Sequence, residues 1–165
     1  MNVKLRYLKL SDLDDLIQVE NDERYWYLSG ITKTFTRDEL SNYIQNAKEP
    51  IETFGQLRYV IEVDNEFSGL IDLYEFDSPT KSAGIGIIIL DEYQKKGIAR
   101  KSLKLLIDYC KNQLSIKSLF ARIEIDNLNS IKLFEKCGFQ EKAFLNHYLK
   151  KNNRMVDCKE YLLLF

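Results

Sequence analysis

Ala83–Leu90 constrains this chain more than any other stretch. Reading Ala-Gly-Ile-Gly-Ile-Ile-Ile-Leu, it is apolar throughout, where a strand with one wet face would alternate. A strand of that kind is expected to be buried on both faces, inside a sheet covered on two sides. Gly97–Gln113 follows, with an apolar stripe of Ala99, Leu103, Leu106 and Cys110 flanked by Ile98, Leu105 and Tyr109. That spacing predicts an amphipathic helix packed back on the same sheet.

The remaining pattern fits around this pair. Val3–Lys9 alternates and predicts a first strand; Ser11 reads as the N-cap of a short helix through Leu13, Leu16, Ile17 and Glu20. Asn21–Phe35 is aromatic and irregular, and Thr36 caps a helix over Arg37–Ala47, with Pro50 just beyond. Leu57–Val63, Gly69–Phe76 and Leu119–Ile125 read as strands, and Ser130–Cys137 as a helix closed by Gly138. Phe139–Leu149 and Met155–Leu164 form a closing hairpin with Lys151-Asn152-Asn153 at its tip. The order β-αα-ββ-β-α-β-α-ββ predicts an α/β (α+β) fold with a mixed sheet containing one strand–helix–strand crossover. No repeat or shift in composition divides the chain, so its 165 residues are expected to form one domain.

Composition removes several kinds of function. Twenty-four basic residues against 25 acidic ones leave a net charge of −1, which gives no support for binding nucleic acid or an anionic membrane. His147 is the single histidine, and Cys110, Cys137 and Cys158 form no CxxC pair, so neither a metal site nor a disulfide framework is expected. No leader-like N-terminus or long apolar span is present, and a cytoplasmic protein is the expectation.

The segment joining the apolar strand to its helix carries the chemistry. The positive end of a helix dipole favours carboxylates, yet this helix opens with Lys95, Lys96, Arg100 and Lys101 around Gly97. A polyanion held by backbone N–H groups and basic side chains relieves that conflict; a plain basic surface helix is the alternative. No Walker loop or GxGxxG is present.

Gln94-x-x-Gly97-x-Ala99 resembles the Q/R-x-x-G-x-G/A pyrophosphate loop of the GCN5-related N-acetyltransferases. Asn127-x-x-Ser130-x-x-Leu133-Phe134-x-x-x-Gly138-Phe139 is similar to that family's N-x-x-A-x-x-L-Y-x-x-x-G-F, and the element order matches across essentially the whole chain. Asn21, Tyr25-Trp26, Arg58-Tyr59-Val60-Ile61-Glu62 and Gly69-Leu70-Ile71-x-Leu73 are most similar to the group of ribosomal-protein-alanine and spermidine (diamine) acetyltransferases.

The resemblance implies a mostly antiparallel sheet of about seven strands and about four helices, with a splayed central strand. It also implies acetyl-CoA as donor, a primary amine (small amine, polyamine or protein N-terminus) as acceptor, and a possible homodimer through Phe139–Phe165. Gln94, Lys95, Lys96, Gly97, Ile98, Ala99 and Arg100 would hold the pyrophosphate. The backbone of Ile87, Ile88 and Ile89 would take the pantetheine amides, with Asn127 and Ser130 beside them. Asn127 reads equally as a helix N-cap, and Gly84 and Gly86 as sites of close ligand approach or of plain packing.

Two positions depart from the family pattern. Phe134 stands where the family has an acid tyrosine, and Ala83-Gly84 where the resembling group often has Ala-Glu. A CoA-binding module with weak catalysis is therefore the alternative reading. Asp72 and Glu75 are candidates for acceptor binding or proton removal; strand alternation puts them on opposite faces, and Glu75 matches an acidic position of the polyamine branch. A solvated edge carboxylate is the alternative for both. No acid lies between Arg24 and Arg37, in the segment expected to cover the acceptor, which argues against a long polycation.

Overall fold

A computed structural model describes the whole chain, Met1–Phe165. Seven strands form one sheet in the order β1-β2-β3-β4-β5-β7-β6. They are β1 (Val3–Tyr7), β2 (Leu57–Val63), β3 (Glu66–Asp77), β4 (Ser82–Ile89), β5 (Ser118–Glu124), β6 (Gln140–Lys151) and β7 (Arg154–Leu164). Every neighbouring pair is antiparallel except β4–β5, which the crossover helix α5 (Ile98–Asn112) makes parallel. The other helices are α1 (Leu13–Glu20), α2 (Trp26–Ser29), α3 (Arg37–Asn46), α4 (Ile51–Phe54) and α6 (Leu128–Lys136). No helix is long and apolar enough to cross a membrane.

Alternation along the strands sends two apolar sets to opposite faces. Ile61, Ile71, Leu73, Ala83, Ile85, Leu119 and Ala121 pack with Ile98, Leu103, Leu106 and Cys110 of α5 and with Phe134 of α6. Val60, Phe67 and Leu70 pack on the other face with Leu13, Leu16 and Val19 of α1 and Leu40 and Ile44 of α3. Burying side chains of this size stabilises by about 1.5–3 kcal/mol each, so both layers are needed to hold the sheet.

Three expectations need correction. The apolar strand is fully buried only at Ala83–Ile85; Gly86–Ile89 are half-buried. The reason is that β5 pairs with β4 only at Ser82–Ser118, Ala83–Leu119 and Gly84–Phe120, after which the two strands part. Ser11 is not the cap of the first helix, because a 3-10 turn over Leu10–Asp12 precedes α1. Asp12 does the anchoring: its carboxylate accepts from the Lys9 N–H at 2.8 Å and from Arg6 at 2.7 and 2.9 Å. Finally, Asn21–Phe35 contains a helical turn, α2, and is clamped at its ends. The Asn21 side chain accepts from the Phe35 N–H at 2.7 Å and donates to the Phe35 carbonyl at 3.0 Å. The Thr36 cap holds as read, in a reciprocal box with Glu39.

Candidate active site at the divergence of β4 and β5

Where β4 and β5 part, a cavity of about 670 Å³ passes between them and takes lining residues from both faces of the sheet. On the α5 and α6 face these include Ile87, Ile89, Gln94, Asn127, Ser130 and Phe134. On the other face they include Asp72, Tyr74, Glu75, Arg122 and Glu124, roofed by Tyr25, Trp26 and Tyr27. A split sheet leaves the backbone of β4 without a strand partner on the β5 side beyond Gly84, so an extended ligand can add there.

The loop leading into α5 leaves its backbone donors open. Lys95 and Gly97 both have positive φ, 59° and 77°, which turns the chain so that successive N–H groups face one side. The backbone N–H groups from Lys95 to Arg100 have no protein acceptor; the first bond of the helix is from the Lys101 N–H to the Gly97 carbonyl. A Cβ on Gly97 would meet nothing within 4 Å, so the positive φ and the open space beside it, not packing, account for glycine there. Lys96 lies over the Tyr93 ring with its ammonium 5.6 Å from the centroid. The Ile98 side chain is buried in the core, which leaves only its backbone for a ligand.

Gln94 folds back on the rim. Its side-chain amide donates to the Ile89 carbonyl and to Asp91, both at 3.0 Å, and Asp91 accepts from Arg24 at 2.9 Å. The loop is thereby tied to the aromatic segment that roofs the opposite side. Asn127 caps α6, as one of its two readings has it, by accepting from the Ser130 N–H at 3.2 Å, and it also lines the cavity. Phe134 is buried edge-on against Phe139 at 5.0 Å and brings no proton.

The opposite face is charged, and its charges are paired. Asp72 accepts two bonds from Arg58, at 2.7 and 2.8 Å, and Glu20 holds a third nitrogen of the same guanidinium. Burial by itself would lower the Arg58 pKa, but the two carboxylates outweigh it and hold the group charged. Arg122 donates to Glu75 at 2.8 Å and to Glu160 at 3.1 Å, and stacks over Phe120 and Tyr148. Lys151 reaches Glu124 at 2.7 Å.

Asp72 and Glu75 therefore share the cavity, against the alternation read from the sequence. Glu75 has φ of 47°, and the β3–β4 register shifts between Tyr74 and Asp77, so a bulge turns Glu75 to the same side. The acids missing between Arg24 and Arg37 are supplied by α1, β3 and β5 instead: Glu20, Asp72, Glu75 and Glu124 line one cavity, the first two paired with Arg58, Glu75 with Arg122 and Glu124 with Lys151. Sequence reasoning looked for them in the covering segment and passed over Glu20 and Glu124, whose placement depends on tertiary structure.

Residues 2–140 match the family model described as an acetyltransferase (GNAT) domain. The chain belongs to the GNAT acetyltransferase family. It is an N-acetyltransferase that takes its acetyl group from acetyl-CoA and delivers it to a primary amine. Among similar proteins is the spermidine N(1)-acetyltransferase of Escherichia coli K12, 33% identical over 149 residues, covering 88% of this chain and 77% of that one. A solved structure of spermidine N-acetyltransferase from Vibrio cholerae in complex with CoA and spermine superposes with a TM-score of 0.86 at 27% identity, covering 98% of this chain and 95% of that one. A dodecameric structure of the Vibrio cholerae enzyme superposes with a TM-score of 0.81 at 28% identity, covering 98% and 93%. The GNAT-like fold that the resemblance implied, with its splayed central strand, is the fold observed.

Proposed function

We propose that the chain acts as one N-acetyltransferase domain whose acceptor is a polyamine of the spermidine class. The carrying observation is that Glu20, Asp72, Glu75 and Glu124 line one cavity with Arg58 and Arg122, while Lys151 pairs with Glu124 from outside the lining, so four acids meet three cations. Excess negative charge inside a walled cleft concentrates polycations. The similarity to spermidine acetyltransferases supports the same class.

The two faces divide the work. The free N–H groups of Lys95–Arg100, together with the side chains of Gln94, Lys95, Lys96 and Arg100, hold the pyrophosphate. The unpartnered edge of β4 at Ile87, Ile88 and Ile89 takes the pantetheine amides, with Asn127 and Ser130 alongside and Phe134 packed against the thioester end. The amine enters from the face of Asp72 and Glu75 and must be neutral to attack. Its nitrogen bonds to the thioester carbonyl carbon, the C–S bond breaks, CoA leaves as thiolate, and the new amide nitrogen gives up a proton.

Glu75 is the carboxylate best placed for that proton. Its side chain is 58% exposed and one oxygen is held by Arg122, whereas both oxygens of Asp72 are engaged by Arg58. Phe134 cannot protonate the thiolate, so solvent does, and the cost falls on kcat rather than on cofactor affinity. Phe144 and Met155, exposed on the β6–β7 hairpin at the edge of the sheet, offer a surface for self-association.

A competition assay tests the acceptor class: acetyl-CoA with equal spermidine and an alanine-starting peptide, products separated by mass. Acetylspermidine is expected to dominate, and acetyl-peptide forming faster would contradict the proposal.

A further inference from the structure

Tyr74 and Gly84 face each other across β3 and β4, and Gly84–Phe120 is the last rung before β4 and β5 part. Tyr74 thus stands at the fork of the split. A Cβ on Gly84 would lie 2.3 Å from Cε2 and 2.5 Å from Cζ of the Tyr74 ring, well inside any real contact. The ring occupies the volume that a side chain at position 84 would need. Phe120 meets the same ring edge-on at 5.8 Å, which holds it over the glycine.

The hydroxyl is in a different situation from the ring. It makes no hydrogen bond to the protein, it is not among the fully buried unpaired polar atoms, and its residue lines the cavity. Burial raises its pKa above the ordinary tyrosine value, so it remains a neutral phenol at physiological pH, able to donate and accept. The charged groups around it, Asp72, Glu75 and Arg122, already have partners. Tyr74 is therefore an uncommitted polar group at the point where the two faces meet.

We propose that Tyr74 binds the reacting end of the acceptor: its phenol, seated over Gly84, hydrogen-bonds the reacting nitrogen where a side chain at position 84 would otherwise touch it. This rests on the amine-acetylating function above and goes further by assigning the contact at the reacting end. A neutral phenol accepts a hydrogen bond from the uncharged amine that must attack. Unlike a carboxylate, it does not hold that nitrogen as ammonium. Selection for multiple positive charges then comes from Glu124, while Glu75 takes the proton that the nitrogen releases.

The test is steady-state kinetics with acetyl-CoA and two acceptors, spermidine and n-butylamine, alongside CoA titration and thermal melting. Tyr74→Phe keeps the ring on Gly84, so melting and CoA affinity stay at wild-type values while kcat/KM for both amines falls about tenfold. Tyr74→Ala with Gly84→Glu places a carboxylate at the fork, and the spermidine-to-butylamine ratio of kcat/KM changes by about tenfold. Gly84→Ala alone lowers the melting temperature, and adding Tyr74→Ala recovers part of that loss, a coupling that reports the shared volume.

If the Tyr74→Phe protein is folded, binds CoA and keeps kcat/KM within about twofold of wild type, the ring only packs and the proposal is overturned. A wild-type protein that releases no thiol with either amine overturns the amine-transfer reading and this one together.

Discussion

The two faces of the split sheet handle charge in opposite ways. On the α5 face the donors are uncommitted: the N–H groups of Lys95–Arg100 have no acceptor, and Lys95, Lys96 and Arg100 have no carboxylate partner. On the α1 face the charges are already paired, with carboxylates in excess: Arg58 with Glu20 and Asp72, Arg122 with Glu75 and Glu160, Lys151 with Glu124. A face made of free donors is ready for one strongly charged ligand and gains affinity from it directly. A face of paired charges binds by rearranging contacts it already has, and so discriminates more than it attracts. Cofactor affinity and acceptor choice should therefore respond to different substitutions.

Lys96→Glu should give the largest effect. Reversing that charge beside the free N–H groups removes a charge-assisted contact and adds repulsion, about 2–3 kcal/mol, or roughly 30- to 150-fold in CoA affinity. Titration calorimetry checks it, with melting unchanged because the residue is exposed. Equal affinity would break the comparison on its cofactor side.

Arg58→Met tests the other face through stability. It leaves Glu20 and Asp72 in a half-buried wall without their partner, at about 2–3 kcal/mol once partial solvent screening is allowed for. Urea unfolding measures the loss, and CoA affinity of the folded protein should be preserved. Glu75→Gln is milder: it removes the carboxylate proposed to take the amine's proton, a loss that water partly covers, and lowers kcat with spermidine about tenfold, again without touching CoA affinity.

The smallest effect concerns the frame that both faces share. Burial works to raise the Asp12 pKa, but the Arg6 guanidinium and the Lys9 N–H together hold it below its ordinary value of 3.8. The Arg6 hydrogen bond holds Glu62 below 4.5. Carboxylates depressed by folding contribute stability that is fully present above their unfolded values and lost as pH falls through the folded ones. Melting temperature should then be flat above about pH 5 and decline below about pH 4, and Asp12→Asn should flatten the decline.

The contrast between the faces also explains what the sequence disclosed. The proposed cofactor loop is local: a strand end, a glycine with positive φ and a helix start lie within Ile89–Arg100, and their chemistry can be read from consecutive residues. Most of the fold was legible for the same reason, since Leu57–Val63, the Thr36 box and the Asn152-Asn153 turn each follow from neighbouring residues.

The proposed acceptor face is assembled from α1, β2, β3 and β5, so nothing in the order of residues announces that Glu20 meets Arg58 or that Glu75 meets Arg122. A one-residue bulge at Glu75 reversed the face that alternation assigned to it. Gly84 looked like a place for ligand approach or a bland packing site, and the Tyr74 ring above it comes from the neighbouring strand.

The most direct measurement is thiol release by the purified protein from acetyl-CoA, with and without spermidine. The account predicts little release without amine, rapid release on adding spermidine, and acetylspermidine formed in equal amount. Tight CoA binding with no amine-dependent release would contradict it, leaving a cofactor face without a working acceptor face.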